Sequence, residues 1–377
     1  MSSNTYGARS NNLPVITRKV RGAEYQYYRW WDADTKEHHD EYLGRKGDTE
    51  TERKAKLTER QAILKEMDTL QVRLSQIDVS LGDLEAKIIC RPFVKWAGGK
   101  SQLMEKMKKH FPESFNRYYE PFLGGAAVFF FLVGTRDPFP ATLSDSNHDL
   151  VNAYQMIRDK VEDLIDDLTR RSLEFNSLKT KTERNDHFLN VRKNPPDIDT
   201  QPVERAGWFI FLNKTAYNGL YRVNSNDGFN VPYGGYSNVT FFERDNLRNI
   251  SKVLKREGVE IIWADYSEVL GRAKEGDFAY LDPPYFSPDN KGFTAYNATL
   301  FSKDDQTKLA DTFKALTEKK VKVLLSNSKA DFIETAFKDR MKEAGHNYKF
   351  DNVEALRVIN CKGSSRTGAK ELLIKNY

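Results

Sequence analysis

Asp277-Phe278-Ala279-Tyr280-Leu281, joined at once to Asp282-Pro283-Pro284-Tyr285, decides how this chain is read. The first segment ends in an apolar and aromatic run, the pattern of a buried strand. The second puts a carboxylate at the strand's tip and stiffens the loop beyond it. Each proline fixes its own φ at about −65° and disfavours the α region for the residue before it. A rigid loop at the carboxyl end of a strand is where open α/β sheets hold their ligands. Its chemistry is that of an acceptor: a carboxylate and carbonyls receive N–H groups, and Tyr285 offers a flat ring. That suits a planar group bearing an NH2, although Asp-Pro alone is equally ordinary turn chemistry.

At 377 residues the chain has room for two domains, or for one domain with a sizeable insertion. Its hydrophobic content of 39% is globular. No apolar run approaches a membrane span, and the polar stretch Met1–Asn12 lacks a signal-peptide core, so no membrane partner is expected. Two cysteines, Cys90 and Cys361, cannot build a disulfide framework and point to a reducing cytoplasm. A net charge of +5 with many aromatic residues is compatible with nucleic-acid binding without requiring it.

Upstream of the loop lie two glycine-rich turns. Phe93-Val94-Lys95-Trp96-Ala97-Gly98-Gly99-Lys100 passes from a short apolar stretch through two glycines into an amphipathic helix, Leu103 to His110. Glycines there let the backbone approach a ligand closely, and Lys100 can meet a carboxylate. The spacing is not that of a Walker A loop, which argues against ATP. Tyr118-Tyr119-Glu120-Pro121-Phe122-Leu123-Gly124-Gly125-Ala126-Ala127 reads as strand, turn and the start of an apolar helix. Ala141-Thr142-Leu143-Ser144-Asp145-Ser146-Asn147 is a strand ending in an acid, where doubly wound folds hold a ribose diol. A glycine turn followed by a second-strand acid implies an adenosine moiety; either half alone is a generic α/β turn.

Together, Lys95–Lys100, Glu120–Gly125, Ser144–Asn147 and Asp282–Tyr285 resemble the motif set of the Dam-type (D12 class, α group) DNA adenine N6-methyltransferases, over residues 93–377. The resemblance implies an α/β, Rossmann-like S-adenosylmethionine-dependent methyltransferase fold. It implies cofactor contacts from Trp96, Gly98, Lys100, Glu120, Phe122, Gly124, Asp145, Asn147 and Asp282. Asp265 and Tyr266, which end the strand beginning at Ile261, would lie beside the cofactor's adenine. One position departs from the pattern: Ala126 stands where the family's Phe-x-Gly-x-Gly has its last glycine, and a tight but working pocket is expected.

Residues 150–258 are expected to be a mainly helical target-recognition insertion, within a catalytic domain of residues 90–149 and 259–377. Leu150 to Leu178 reads as an amphipathic helix and Lys181 to Thr200 as a loop. The run from Ala216 to Gly234 is rich in Asn, Arg, Tyr and Gly, and Asn226-Asp227-Gly228 is a hairpin signal. Asn and Arg read adenine and guanine edges bidentately, so Asn218, Arg222 and Asn224 are candidate DNA contacts. The run is similar to the hairpin of family members that act at GATC. Phe286 to Asn297 reads as a segment that closes over substrate. Arg366, in the Lys362–Gly368 loop, either meets phosphates or belongs to a solvated hairpin.

Residues 1–89 fall outside the resemblance. Residues 1–15 read as disordered, and Ala23 to Arg45 as a β-hairpin turning near Asp32–Lys36. From about Asp48 to Ile89 the sequence reads as helix. Met67, Leu70, Leu74, Ile77, Leu81, Leu84 and Ile88 form a coiled-coil seam, suited to a second copy, a helical hairpin or the catalytic domain.

In the mechanism the resemblance implies, Asp282 and the Pro283 carbonyl accept the two N6 hydrogens of a flipped adenine, Pro284 stiffens the loop, and Tyr285 stacks on the base. The expected cofactor is S-adenosylmethionine, leaving as S-adenosylhomocysteine, with no metal. The expected partner is double-stranded DNA in a bacterial or archaeal cytoplasm, at the nucleoid. A homodimer through the arm and a cognate restriction enzyme are further partners this reading admits. Cytosine N4 methylation uses the same geometry, but a leading Ser rather than Asp282 would suggest it. A protein-glutamine methyltransferase would not need the insertion, and a catalytically silent DNA-binding regulator would not need an intact loop.

Overall fold

The computed structural model describes residues 15–32, 37–60, 62, 70, 73, 88–96, 98–224, 228–285, 301–343, 345, 348–355 and 369–377. The chain divides into two units, Met1–Ala86 and Lys87–Tyr377.

In the first unit β1 (Val15–Val20), β2 (Ala23–Asp32) and β3 (Glu37–Arg45) form an antiparallel three-stranded sheet. The sequence reading had only the second hairpin. The strand it missed is joined to β2 by Arg21-Gly22, both at positive φ (48° and 85°), the backbone a two-residue hairpin turn requires. Arg29 holds Asp40 across the sheet with two hydrogen bonds of 2.8 and 3.0 Å. Helix α1 comes next, over residues 49–60. Asp48 caps it, accepting from the Thr51 amide at 3.1 Å. Most of the expected coiled-coil seam lies outside the described residues. Its last member, Ile88, is described and is not helical, so the helix does not reach Ile89. The heptad spacing continued past the helix because Ile88 packs on the core of the second unit instead.

The second unit contains, in chain order, α2 (Met104–Met107), β4 (Tyr118–Glu120), α3 (Ala127–Thr135), β5 (Ala141–Asp145), α4 (His148–Asp159), α5 (Val161–Ser177), α6 (Lys181–Lys193), α7 (Pro202–Thr215) and α8 (Arg244–Leu254). Then come β6 (Val259–Trp263), α9 (Val269–Arg272), β7 (Phe278–Leu281), α10 (Lys303–Glu318), β8 (Lys322–Ser328), α11 (Asp331–Glu343), β9 (Lys349–Ala355) and β10 (Ala369–Lys375). The strands make one mixed seven-stranded sheet, β6-β5-β4-β7-β8-β10-β9. The first five are parallel, and β10 runs antiparallel to both its neighbours.

Side chains alternate between two cores, one on each face of the sheet. Tyr118, Phe278, Tyr280, Leu324 and Leu373 point into the core shared with α3 and with helices α4 to α8. Tyr119, Ala279, Leu281, Val323, Leu325 and Leu372 point into the core under α10 and α11. The β7 sequence is apolar throughout because both its faces are covered. Phe278 is fully buried, and its truncation to Ala would cost about 3–5 kcal/mol.

Two local readings are corrected. The stretch Leu150 to Leu178 is two helices, α4 and α5, broken at Lys160 (φ −136°, ψ 41°). Lys181 to Lys193, expected as loop, is helix α6. Thr180 and Glu183 form a capping box at its start, and Phe188 anchors it in the core.

Candidate active site

In this sheet the strand order reverses between β4 and β7. From β4 the chain continues outward to β5 and β6, and from β7 it continues the other way to β8. Ligands of open α/β sheets sit in the crevice beyond the carboxyl ends at such a reversal. The two tips there are Glu120, ending β4, and Asp282, just after β7.

Asp282 is held by Lys100, whose Nζ donates to Oδ2 at 2.7 Å and to the Gly98 carbonyl at 2.6 Å. The lysine side chain is buried, and its ammonium lies 5.0 Å from the centre of the Tyr285 ring. Burial raises the Asp282 carboxyl above its ordinary value, while the charge and hydrogen bond of Lys100 pull it back. Burial also raises the Tyr285 hydroxyl, and the Asp282 and Glu371 carboxylates raise it further. That hydroxyl is buried and, among the described residues, meets no partner in hydrogen-bond geometry.

The prolines are not alone in stiffening the loop. Gln306, in the first turn of α10, donates to the Pro284 carbonyl at 3.0 Å, and its own oxygen accepts from Asn327 on β8 at 2.9 Å. Both side chains are fully buried. Sequence reading missed them, because each takes its role from a partner far away in the chain.

On the β4 side, Glu120 is buried and its Oε2 accepts from the Tyr118 hydroxyl at 2.9 Å and the Phe129 amide at 3.2 Å. Burial pushes it up to about 8, against the pull of those two bonds. Gly124 donates its amide to Asp145 Oδ2 at 3.1 Å, linking the glycine turn to the second strand's acid. Asp145 also accepts from the Asn147 amide at 2.9 Å, and burial raises it to about 6. The Trp96 indole lies on Gly124; a methyl group at that glycine would sit 2.7 Å from the ring. Asn147 is the N-cap of α4, its Oδ1 accepting from the Leu150 amide at 2.9 Å. Ala126 stands at φ 54°, ψ 31° before α3, which explains why a glycine suits that position.

At the tip of β6, Asp265 accepts from the Ser267 amide and hydroxyl. Tyr266 stacks on Phe122 with ring centres 5.1 Å apart, and Phe301 meets both rings edge-on. Phe122, Tyr266 and Phe301 therefore form one aromatic cluster just past the ends of β4 and β6, with Asp265 next to Tyr266 in the chain.

Asn218, Arg222 and Asn224 lie on a hairpin that comes after α7. The bridges Ala216↔Tyr233 and Val223↔Phe229 pair its arms. Asn218 adopts φ 55° in a short turn. Arg222 donates to Asn230 Oδ1 at 2.7 Å, and Asn224 Oδ1 accepts from the Gly228 amide at 2.9 Å. The tip 225–227, the segment Phe286 to Asn297 and Arg366 lie outside the described residues. Among the described residues no group of three or more His, Cys, Asp or Glu side chains could hold a metal ion, and no helix is long and apolar enough to cross a membrane.

Residues 96–359 match the model of the D12 class N6 adenine-specific DNA methyltransferases. The chain is 38% identical over 295 residues to Type II methyltransferase M1.LlaDCHI of Lactococcus lactis subsp. cremoris, covering 77% of this chain and 97% of the relative. It is 41% identical over 300 residues to Type II methyltransferase M.MjaIII of Methanocaldococcus jannaschii, covering 76% and 99%. It is 31% identical over 292 residues to a DNA adenine methylase of Haemophilus influenzae, covering 77% and 95%. A family match spanning well over half the chain, joined to these near full-length relatives, makes this chain a member of the D12 class N6 adenine-specific DNA methyltransferase family.

Proposed function

We propose that the crevice between β4 and β7 brings a flipped adenine of duplex DNA to Asp282, next to S-adenosylmethionine held by the two glycine turns. The observation that carries this is the Asp282 carboxylate, largely buried at the reversal of the sheet with one oxygen engaged by Lys100. The crevice residues fit the cofactor chemically. At Gly98 (φ 80°) a methyl group would meet the Lys100 Nζ at 3.8 Å, and the positive φ of this turn suits a glycine whose backbone can lie against a ligand. Asp145 and Asp265 offer acceptors to a ribose diol and an adenine amine, and Phe122 and Tyr266 offer a stacking face. When bound, S-adenosylmethionine supplies a methyl group on a positively charged sulfur that departs as the neutral thioether S-adenosylhomocysteine.

The protein's part is alignment. Lys100 fixes Asp282 through Oδ2, leaving Oδ1 to accept one N6 hydrogen; the Pro283 carbonyl accepts the other. Drawing both hydrogens out of the ring plane frees the nitrogen lone pair for attack. The carboxylate then offsets the positive charge that develops on N6. Its raised proton affinity suits it to receive the departing proton. Tyr285 packs against the base.

Residues 150–258 serve in this reading as the target-recognition insertion, with Asn218, Arg222 and Asn224 on its DNA-facing hairpin and Arg366 at the phosphates. The target is GATC-like. The Type II methyltransferase relatives support a restriction-modification setting with a cognate restriction enzyme. The N-terminal unit supplies a dimer contact through its helix, and the enzyme works at the bacterial or archaeal nucleoid. Sequencing modified bases in DNA from cells that express the chain tests the reading. One short motif methylated at adenine N6 is expected, with broader targets for Arg222→Ala. Methylation scattered without a motif, or unchanged targets for Arg222→Ala, would contradict it.

A further inference from the structure

The turn that carries Asn218 is joined to the loop that carries Lys100 by one buried amide. Asn213, in the last turn of α7, is 0% exposed. Its Oδ1 accepts from the Lys95 amide at 2.8 Å; its Nδ2 donates to the Lys95 carbonyl at 2.7 Å and to the Gly219 carbonyl at 3.1 Å. A carboxamide can make about four hydrogen bonds. Asn213 directs three to main chain on two separate segments. The approach is close on both sides. Gly219 sits at φ 65°, and a methyl group there would lie 2.6 Å from the Lys95 side chain.

The contacts continue in both directions from this junction. Trp96, next in the chain after Lys95, stacks on Tyr221 of the hairpin with ring centres 5.9 Å apart. The Gly99 amide returns to the Trp96 carbonyl at 3.1 Å, and Lys100 reaches the Gly98 carbonyl and Asp282. From Gly219 to Asp282 the path is therefore made of short hydrogen bonds and ring contacts. An apolar residue in place of Asn213 would leave three main-chain groups, the Lys95 amide and carbonyl and the Gly219 carbonyl, without this partner.

We propose that Asn213 is a positioning residue that fixes the Asn218–Gly219 turn to the Lys95–Lys100 segment, so that DNA seated on the hairpin sets the alignment of Lys100 and Asp282. This rests on the reading of the hairpin as the DNA-contacting element. The consequence is that cofactor binding alone tolerates loss of the clamp, whereas turnover on DNA and discrimination between sites do not.

The test compares Asn213→Ala, Asn213→Asp and Arg222→Ala in the full chain, using a duplex bearing the methylated site and one with a single base pair changed. For Asn213→Ala, S-adenosylmethionine affinity without DNA should stay within about threefold. Its kcat, and the ratio of kcat/KM between the two duplexes, should each fall about tenfold or more. In Asn213→Asp the introduced carboxyl keeps the acceptor for the Lys95 amide but can donate only when protonated. Its deficit in kcat relative to the unaltered protein should therefore shrink as pH falls from about 8 to about 6. That profile carries the test if Asn213→Ala does not fold, and a pH-independent deficit would then overturn the proposal. Unchanged kcat and discrimination in Asn213→Ala would overturn it too, while leaving the hairpin reading intact if Arg222→Ala weakens DNA binding. If Arg222→Ala leaves DNA KM and discrimination untouched, the hairpin reading falls and the proposal falls with it.

Discussion

The Lys100 ammonium meets the Asp282 carboxylate at 2.7 Å across 182 residues of sequence, joining the Lys95–Lys100 motif to the Asp282–Tyr285 loop proposed to carry the chemistry. The lysine is buried and the aspartate nearly so, which makes the pair a strong determinant of the carboxylate's proton affinity. Burial raises Asp282 and Lys100 lowers it, so removing the lysine takes away the two largest downward pulls. Lys100→Met should move the acid limb of kcat/KM to higher pH and lower kcat on the order of 100-fold. An acid limb that stays in place would show that Asp282 does not titrate in turnover.

Gln306 acts on the same loop from the far side. Its bond to the Pro284 carbonyl holds the backbone next to the proposed Pro283 acceptor, and Asn327 holds Gln306 in turn. Gln306→Ala should lower kcat about tenfold or more with S-adenosylmethionine affinity little changed, since small misplacements of reacting groups cost rate rather than binding. Equal losses in affinity and kcat would point to general disorder of the site.

Glu120 links the site to stability. In the unfolded chain it titrates near 4.5, and burial lifts it to about 8 in the fold. The folded state binds this proton more tightly, so the contribution is full below the unfolded value and disappears as pH rises through the folded one. Glu120→Gln keeps an acceptor for Tyr118 and Phe129 and has no proton to lose. Its thermal midpoint should gain on that of the unaltered protein between about pH 5 and pH 8.5, measured by scanning calorimetry. Parallel curves would contradict a buried, raised carboxyl.

Ala126 holds a left-handed backbone with its methyl group buried. Relief of that conformation is worth about 1–2 kcal/mol, which a glycine's extra unfolded freedom and the lost methyl offset by about 0.5–1 and 0.8 kcal/mol. Ala126→Gly should therefore be near neutral in denaturant unfolding. Ala126→Val should lose about 3 kcal/mol or more, because a branched side chain is poorly tolerated there and overfills the core. A tolerated valine would contradict the backbone assignment.

The features legible in the sequence were those with local causes. The apolar run of β7, the Pro-Pro pair and the glycine turns each encode their conformation within a few residues, and the sheet places Glu120 and Asp282 where those patterns implied. Features that depend on distant partners were not legible. Gln306 and Asn327 have meaning only once α10 and β8 are packed, and Asn213 only once Lys95 and Gly219 converge on it. Two misreadings had local signals that were outweighed. Helix α6 is polar and precedes Pro195-Pro196, which suggested loop, yet Thr180 and Glu183 already spelled its cap. Strand β1 carries Thr17, Arg18 and Lys19 after only two apolar residues, so no alternation stood out.

Asp282→Ala decides whether this carboxylate carries the reaction. The unaltered protein and the variant are each incubated with isotope-labelled S-adenosylmethionine and duplex DNA, and the digested nucleosides are identified. Cofactor affinity is measured in parallel by calorimetry. Labelled N6-methyladenine is expected from the unaltered protein and none from Asp282→Ala, with cofactor affinities within about tenfold of each other. Turnover that survives in Asp282→Ala would contradict the role given to Asp282, as would label appearing on cytosine.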